Sequence, residues 1–131
     1  VLEHLERPDV ALPSIRKILN KHGVLILTVP FLYGIHEAPC DFRRFTRYGL
    51  KSELAHAGFK NIEIHELGGL ISVIATFIAK LLDIGFGSRA LPVKLWVWLT
   101  TLVVKIPVVA FIDGKTAKRF PLEYGVICYS E

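Results

Sequence analysis

Apolar positions change their period several times along this chain, and each change marks an element. In residues 9–21, Ala11, Ile15, Ile18 and Leu19 recur at helical spacing on one face, which predicts an amphipathic helix. Asp9 is its expected N-cap, and Pro13 falls near the first turn, where a missing N–H is tolerated. Gly23 is expected to stop the helix by taking positive φ. Val24 to Val29 is then a nearly continuous aliphatic and β-branched run, the pattern of an interior parallel strand covered on both faces. Pro30 cannot donate to a ladder and ends it. A second helix is expected from Thr46 as N-cap to Gly58, with Leu50, Leu54 and Ala57 turned inward. Ile62 and Ile64 alternate with Asn61, Glu63 and His65, as in a half-exposed strand, and Leu122 to Tyr129 makes a final strand.

Between those last two strands lies an apolar tract, residues 67–119. Gly68 to Leu82 is apolar nearly all round, whereas Leu91 to Ile112 is interrupted by Pro92, Lys94, Lys105 and Pro107. A helix between the two prolines spans only about 20 Å at 1.5 Å per residue, short of the ~30 Å hydrocarbon layer. The tract therefore predicts an inserted helical hairpin rather than a clean membrane span. Trp96 and Trp98 beside lysines suit a membrane interface. A hairpin on or in one leaflet and a lid or dimer surface are both compatible with it.

Without the tract, the order is helix, strand, helix, strand, strand. That order predicts an α/β fold with right-handed crossovers and an antiparallel last strand, because no crossover helix precedes it. The chain's 131 residues allow one core. Sixteen Lys and Arg against twelve Asp and Glu give a net charge of +4, and the charged residues of both signs concentrate in the first half. No basic block is interleaved with stacking aromatics, so nucleic acid is not an expected partner. A modest basic excess beside an apolar tract, with mean hydropathy +0.45, points instead to a membrane surface through residues 70–112. Two cysteines, Cys40 and Cys128, make no disulfide framework, and the expected location is cytoplasmic, peripheral or integral to the cytoplasmic membrane. A chain without Met that opens on Val1 reads as a piece of a longer one.

Four motifs in order carry a family resemblance. Val1-Leu2-Glu3-His4-Leu5, then Ile18 to Pro30 with its Asn20-Lys21-His22-Gly23 turn, then His36 to Thr46, then Ala57-Gly58-Phe59, resemble the second half of class I S-adenosylmethionine-dependent methyltransferases of the type 11 group. The resemblance covers residues 1–66 and, more weakly, 120–130. It implies a partial Rossmann-like methyltransferase sheet, the family's fifth to seventh strands, with the last antiparallel. Residues 1–66 and 120–131 form the half-domain and 67–119 the apolar helical insertion. S-adenosylmethionine is the implied cofactor, and Val1, Leu2 and His4 are the implied cofactor-side residues. His22 stands where the family has glycine, a position whose left-handed backbone His tolerates. The family's glycine-rich turn and ribose-binding acid are not in this sequence, so the chain alone is not expected to bind the cofactor tightly.

Ligands of open parallel sheets sit beyond the carboxyl ends of the strands, which puts the 31–45 loop at the acceptor. His36 is the expected general base there, with Asp41 orienting or replacing it; the alternative makes them a solvated loop residue and a turn residue. Arg43 or Arg44 can clamp an acceptor carboxylate or phosphate, or can pair with Asp41 or Glu37 and stiffen the loop. Tyr33, with Phe31 and Phe42, is an expected pocket wall or part of the core. His36, Glu37 and Asp41 match no zinc spacing, so no metal is expected. The resulting expectation is methyl transfer to a small or lipid-linked acceptor within a longer parent. A non-catalytic membrane-associated module, or a protein-interaction module that dimerises through the apolar tract, is the alternative.

Overall fold

The structure is a computed structural model that describes residues 1–86, 91–104 and 106–130. Thr46 caps its helix as the sequence leads one to expect. Its hydroxyl accepts from the Gly49 N–H at 3.1 Å, and helix α2 (Arg47–His56) drives Leu50 and Leu54 into full burial. Gly58, at φ +89°, turns the chain out, as a residue without Cβ can. Helix α1 (Pro8–Ile18) begins one residue before the expected N-cap. Arg7 is the N-cap and Pro8, whose fixed φ suits the first turn, is fully buried. Asp9 sits in that turn and pairs with Arg7 at 2.7 Å.

The end of α1 also differs from expectation. The helix stops at Ile18, and His22, not Gly23, takes the left-handed conformation at φ 63°. Gly23 is needed for another reason. A Cβ there would lie 2.9 Å from the Asn20 carbonyl oxygen and 3.2 Å from Ser130 Oγ. The His22 N–H donates to the Ser130 carbonyl at 2.7 Å and the Ser130 N–H to that of Gly23 at 2.9 Å, so two chain segments close tightly on this turn.

Strand β1 (Val24–Pro30) forms, but it is not the interior parallel strand the apolar run implied. The sheet order places it at an edge, where β3 (Glu123–Tyr129) pairs with it antiparallel, from Val24 opposite Tyr129 to Pro30 opposite Glu123. Val29 is fully buried, whereas Val24 and Ile26 are 44% and 70% exposed, because no described element covers that face. β2 (Lys60–Leu67) lies on the other side of β3, with Ile62 and Ile64 as its half-buried positions. Leaving β2, Gly68 accepts from the Leu122 N–H at 3.2 Å just before β3 begins, as antiparallel neighbours do. The final strand is thus antiparallel, as expected, and separates β1 from β2. Leu2, Leu12, Phe59, Val126 and Cys128 join Val29 and the α2 leucines in one core.

Contacts divide the chain into two compact units, one of Val1–Phe31, Ile35–His65 and Glu123–Glu131, the other of Leu32–Gly34 and Glu66–Leu122. In the second, the apolar tract makes three helices where the sequence predicts a hairpin: α3 (Leu70–Phe86), α4 (Leu91–Val104) and α5 (Pro107–Ala117). Pro107 is the cause, since it starts α5 at the first helical position after the Ile106 N-cap. Lys105 lies outside the described residues. The buried Asp113 of α5 accepts from the Ile71 and Ser72 N–H groups at 2.9 and 3.2 Å and so caps α3. No helix among the described residues is long and apolar enough to cross a membrane.

Gly69 sits where α5 approaches α3; a Cβ there would fall 1.9 Å from the Asp113 carbonyl oxygen. Gly69→Ala should therefore cost about 1–3 kcal/mol in urea unfolding, through forced displacement of packed backbone. Gly85→Ala, where a Cβ meets nothing within 4 Å, should be neutral or stabilising by up to about 1 kcal/mol. Equal effects at the two positions would contradict this packing.

Candidate functional site

The loop that leaves the carboxyl end of β1 is held by a buried carboxylate. Asp41, with only 2% of its side chain exposed, receives the guanidinium fork of Arg44, the Nη2–Oδ2 distance being 2.7 Å. It also accepts the His36 N–H at 2.9 Å. The Arg44 hydrogen bonds first, and the His36 N–H next, hold the Asp41 carboxyl far below the usual carboxylate range. The same contacts raise Arg44 above its ordinary value, Asp41 being the chief cause.

His36 lies between two acids. Its Nδ1 is 3.4 Å from Asp41 Oδ2, and its Nε2 is 3.7 Å from Glu3 Oε1. Glu3 comes from the short 3-10 turn Leu2–His4 and is buried at 5% exposure. Its Oε2 takes the Val1 nitrogen at 2.8 Å, and its Oε1 faces His4 Nε2 at 3.3 Å. The His4 ring meets the His36 ring edge-on, centroids 4.8 Å apart. His4 Nδ1 lies 2.7 Å from the Cys40 carbonyl oxygen, and since a carbonyl only accepts, that nitrogen carries the proton. The Phe42 N–H donates to the Glu3 carbonyl at 2.9 Å and stitches the loop to the turn.

His36, Asp41, Arg44 and His4, all singled out in the sequence, are thus brought together. Arg44 gives its fork to Asp41, the pairing that the sequence left open beside an acceptor clamp. Arg43 turns away and donates to the Glu6 carbonyl at 2.9 Å. Tyr33 belongs to the helical unit, where the Lys80 amine lies 5.4 Å from its ring centroid. Phe31 packs on Tyr124 at 5.6 Å, and Phe42 is 46% exposed. Val1 is exposed and Leu2 is in the core at 4% exposure, and both line a cavity with Leu5, Leu12 and β1. Cys40 and Cys128 are both free, and burial pushes the Cys128 thiol up to about 11.

Glu3 is the member that motif spacing missed. It matters because one ligand-type atom from each of Glu3, His4 and His36 lies within 4.8 Å of the others. The expectation of no metal rested on spacing within the 36–41 loop, whereas this set joins that loop to the amino-terminal turn. The one sequence signal was the Glu3-His4 pair itself.

No known family's sequence model matches the chain, and no curated protein matches it. Solved structures do. Phosphoethanolamine N-methyltransferase 2 of Haemonchus contortus, in complex with S-adenosyl-L-methionine, superposes with a TM-score of 0.52 at 11% identity over 98% of this chain. The same enzyme with phosphomonomethylethanolamine and S-adenosylhomocysteine gives 0.51 at 10% identity. The chain spans 31% of the length of each. At such identity the likeness is one of fold.

Because the Asp41 carboxyl is depressed in the folded protein, its stabilising contribution is complete above the ordinary carboxylate pKa of about 3.9. It is lost as the pH falls below that, toward the folded value. Asp41→Asn should accordingly be less stable than the native chain at pH 6, and the gap should close progressively below about pH 4. Urea midpoints at a series of pH values check this; a gap independent of pH would remove the charge from the account.

Proposed function

We propose that this chain is the acceptor-side portion of a class I methyltransferase of the type 11 group, working within a longer protein on a small or lipid-linked acceptor. The observation that carries the proposal is His36, fixed between Asp41 and Glu3 beyond the carboxyl end of β1, on a fold like that of methyltransferases. The Asp41–Arg44 pair, beside Nδ1, orients the imidazole. Its Nε2 side is then the place where an acceptor hydroxyl or ammonium loses its proton.

The open edge of β1 supports the view that more of the sheet belongs here. β1 has a partner on only one side among the described residues, and Ile26 stands 70% exposed. Bound S-adenosylmethionine would supply the electrophilic methyl group. The described residues do not make a cradle for it. Their glycine turn between a strand and a helix, Gly68-Gly69, opens onto the Asp113 carboxylate, which already takes the α3 N–H groups an anion would need. The glycine-rich turn that holds the cofactor would then come from another part of the parent, with Val1, Leu2 and His4 beside it.

The helical unit favours a second role beside the first. Phe77, Leu81, Ile84 and Trp98 are 49%, 67%, 85% and 60% exposed, an apolar surface suited to a membrane interface at the cytoplasmic face or to a second copy. Sedimentation with anionic phosphatidylserine vesicles should carry the protein down, and Trp98→Asp with Leu81→Asp should reduce it severalfold; a stable detergent-free dimer without vesicle binding would select self-association.

In the parent protein, His36→Ala should lower kcat about 10²–10⁴-fold while the cofactor Kd, measured by calorimetry, stays within a factor of two. Equal losses in both would make His36 structural, and an upstream reading frame without a strand and acidic glycine-rich turn would defeat the methyl-transfer assignment.

A further inference from the structure

Two histidines and one buried glutamate, from segments far apart in the chain, present their donor atoms to a common point. We infer that Glu3, His4 and His36 form a site for a single divalent transition-metal ion of the zinc class, with a fourth position open to water or an anionic ligand. Three observations carry this.

The first is geometry. Bonds of about 2.0–2.2 Å to a tetrahedral ion put neighbouring donors roughly 3.3–3.5 Å apart. Glu3 Oε1 is 3.3 Å from His4 Nε2 and 3.7 Å from His36 Nε2, and the three donors lie within 4.8 Å of one another. The two edges from Glu3 are near that spacing, and the imidazoles must draw together for the third.

The second is the state of His4. Its Nδ1 proton is committed to the Cys40 carbonyl, so in the neutral ring Nε2 offers a lone pair toward the Glu3 carboxylate. Two electron-rich atoms at 3.3 Å need something positive between or on them. A metal ion satisfies both and leaves the ring neutral; a second proton on the ring is the competing solution.

The third is the surrounding shell. Metal-bound imidazoles almost always give their other nitrogen to a carbonyl or carboxylate, which fixes the ring. His4 has the Cys40 carbonyl at 2.7 Å, and the His36 Nδ1 faces the Asp41–Arg44 pair, 3.4 Å from Asp41 Oδ2 and 3.4 Å from Arg44 Nη2, so that pair fixes the side of the ring away from the ion. Both rings are about three-quarters buried and Glu3 nearly wholly so, which limits competition from water. The remaining histidines differ: His56 meets Ser52 and His65 meets Glu63 on exposed surface, and His22 holds a turn.

The ion bears on catalysis only if the methyl-transfer proposal holds. It would take the His36 Nε2 lone pair, and water on the ion, its pKa lowered toward about 7, would replace the imidazole as base. Metal binding itself stands apart from that proposal, and so does its test.

The purified chain, freed of metal with a chelator, is titrated with Co²⁺ and then with Zn²⁺, following visible d–d absorption and heat. One equivalent should bind saturably, and Zn²⁺ should displace Co²⁺. His4→Ala and His36→Ala should each weaken binding more than about 100-fold, and Asp41→Asn about 10–100-fold through loss of the Asp41–Arg44 pair that positions the His36 ring. The combined variant His22→Ala, His56→Ala, His65→Ala should bind as the native chain does. Should the site variants unfold by circular dichroism, imidazole NMR of the native chain decides: Zn²⁺ should shift His4 and His36 alone. No saturable binding, or binding that tracks the other three histidines, overturns the site and indicates a protonated histidine–carboxylate cluster. A metal site with no methyl transfer by the parent protein would defeat only the proposed function.

Discussion

The antiparallel ladder between β1 and β3 is the contact on which the first compact unit depends. It joins Val24 to Tyr129 and Pro30 to Glu123, positions far apart in the chain, and slots β3 between β1 and β2. Such long-range pairing is entropically costly until side-chain burial offsets it. Here the offset comes from Tyr124, Val126 and Cys128, all buried, against Val29 and the leucines of α2. The His22 turn and Ser130 then lock one end of the ladder through backbone hydrogen bonds. With β1 so fixed, the chain beyond Pro30 starts from a defined place and direction.

The segment after Pro30 is ordered by charge more than by apolar packing. The 36–44 loop has few buried side chains of its own, and its conformation rests on Asp41 receiving the Arg44 fork and the His36 N–H. Taking a carboxylate out of water is costly unless it is paired and hydrogen-bonded. Once satisfied, the same carboxylate tolerates little displacement of its partners. That is how a polar loop comes to present an imidazole at a constant position, and why the arginine expected to grip an acceptor is occupied within the protein.

Local signals are readable where local physics decides. Thr46 as a cap, Leu50 and Leu54 as the inward face, Gly58 as the turn and the Ile62/Ile64 alternation all depend on near neighbours, and all appear in the structure. The apolar run of β1 is legible as a strand but not as an edge, because composition reports what could be covered and not what covers it. The helical tract misleads for a related reason: Pro107 reads as an interruption, yet proline at a first helical position starts a new helix. At the site, His36, Asp41 and Arg44 share one loop and one motif. Glu3 joins them only through the fold, so spacing along the chain could not reveal it.

The buried acids divide into structural and chemical use. Asp113 is consumed by the first N–H groups of α3 and by Ser72; burial opposes them, yet its pKa is lowered. Asp41 is consumed by Arg44 and a backbone N–H. The one caps a helix, the other fixes a loop, and neither is spared for a ligand. Glu3 is arranged otherwise. Its Oε2 is tied to the Val1 nitrogen, while its Oε1 is turned toward two imidazole nitrogens at 3.3 and 3.7 Å. A carboxylate that shares one oxygen with two imidazole nitrogens has the donor arrangement that the inferred ion requires, where the amino-terminal turn meets the His36 loop.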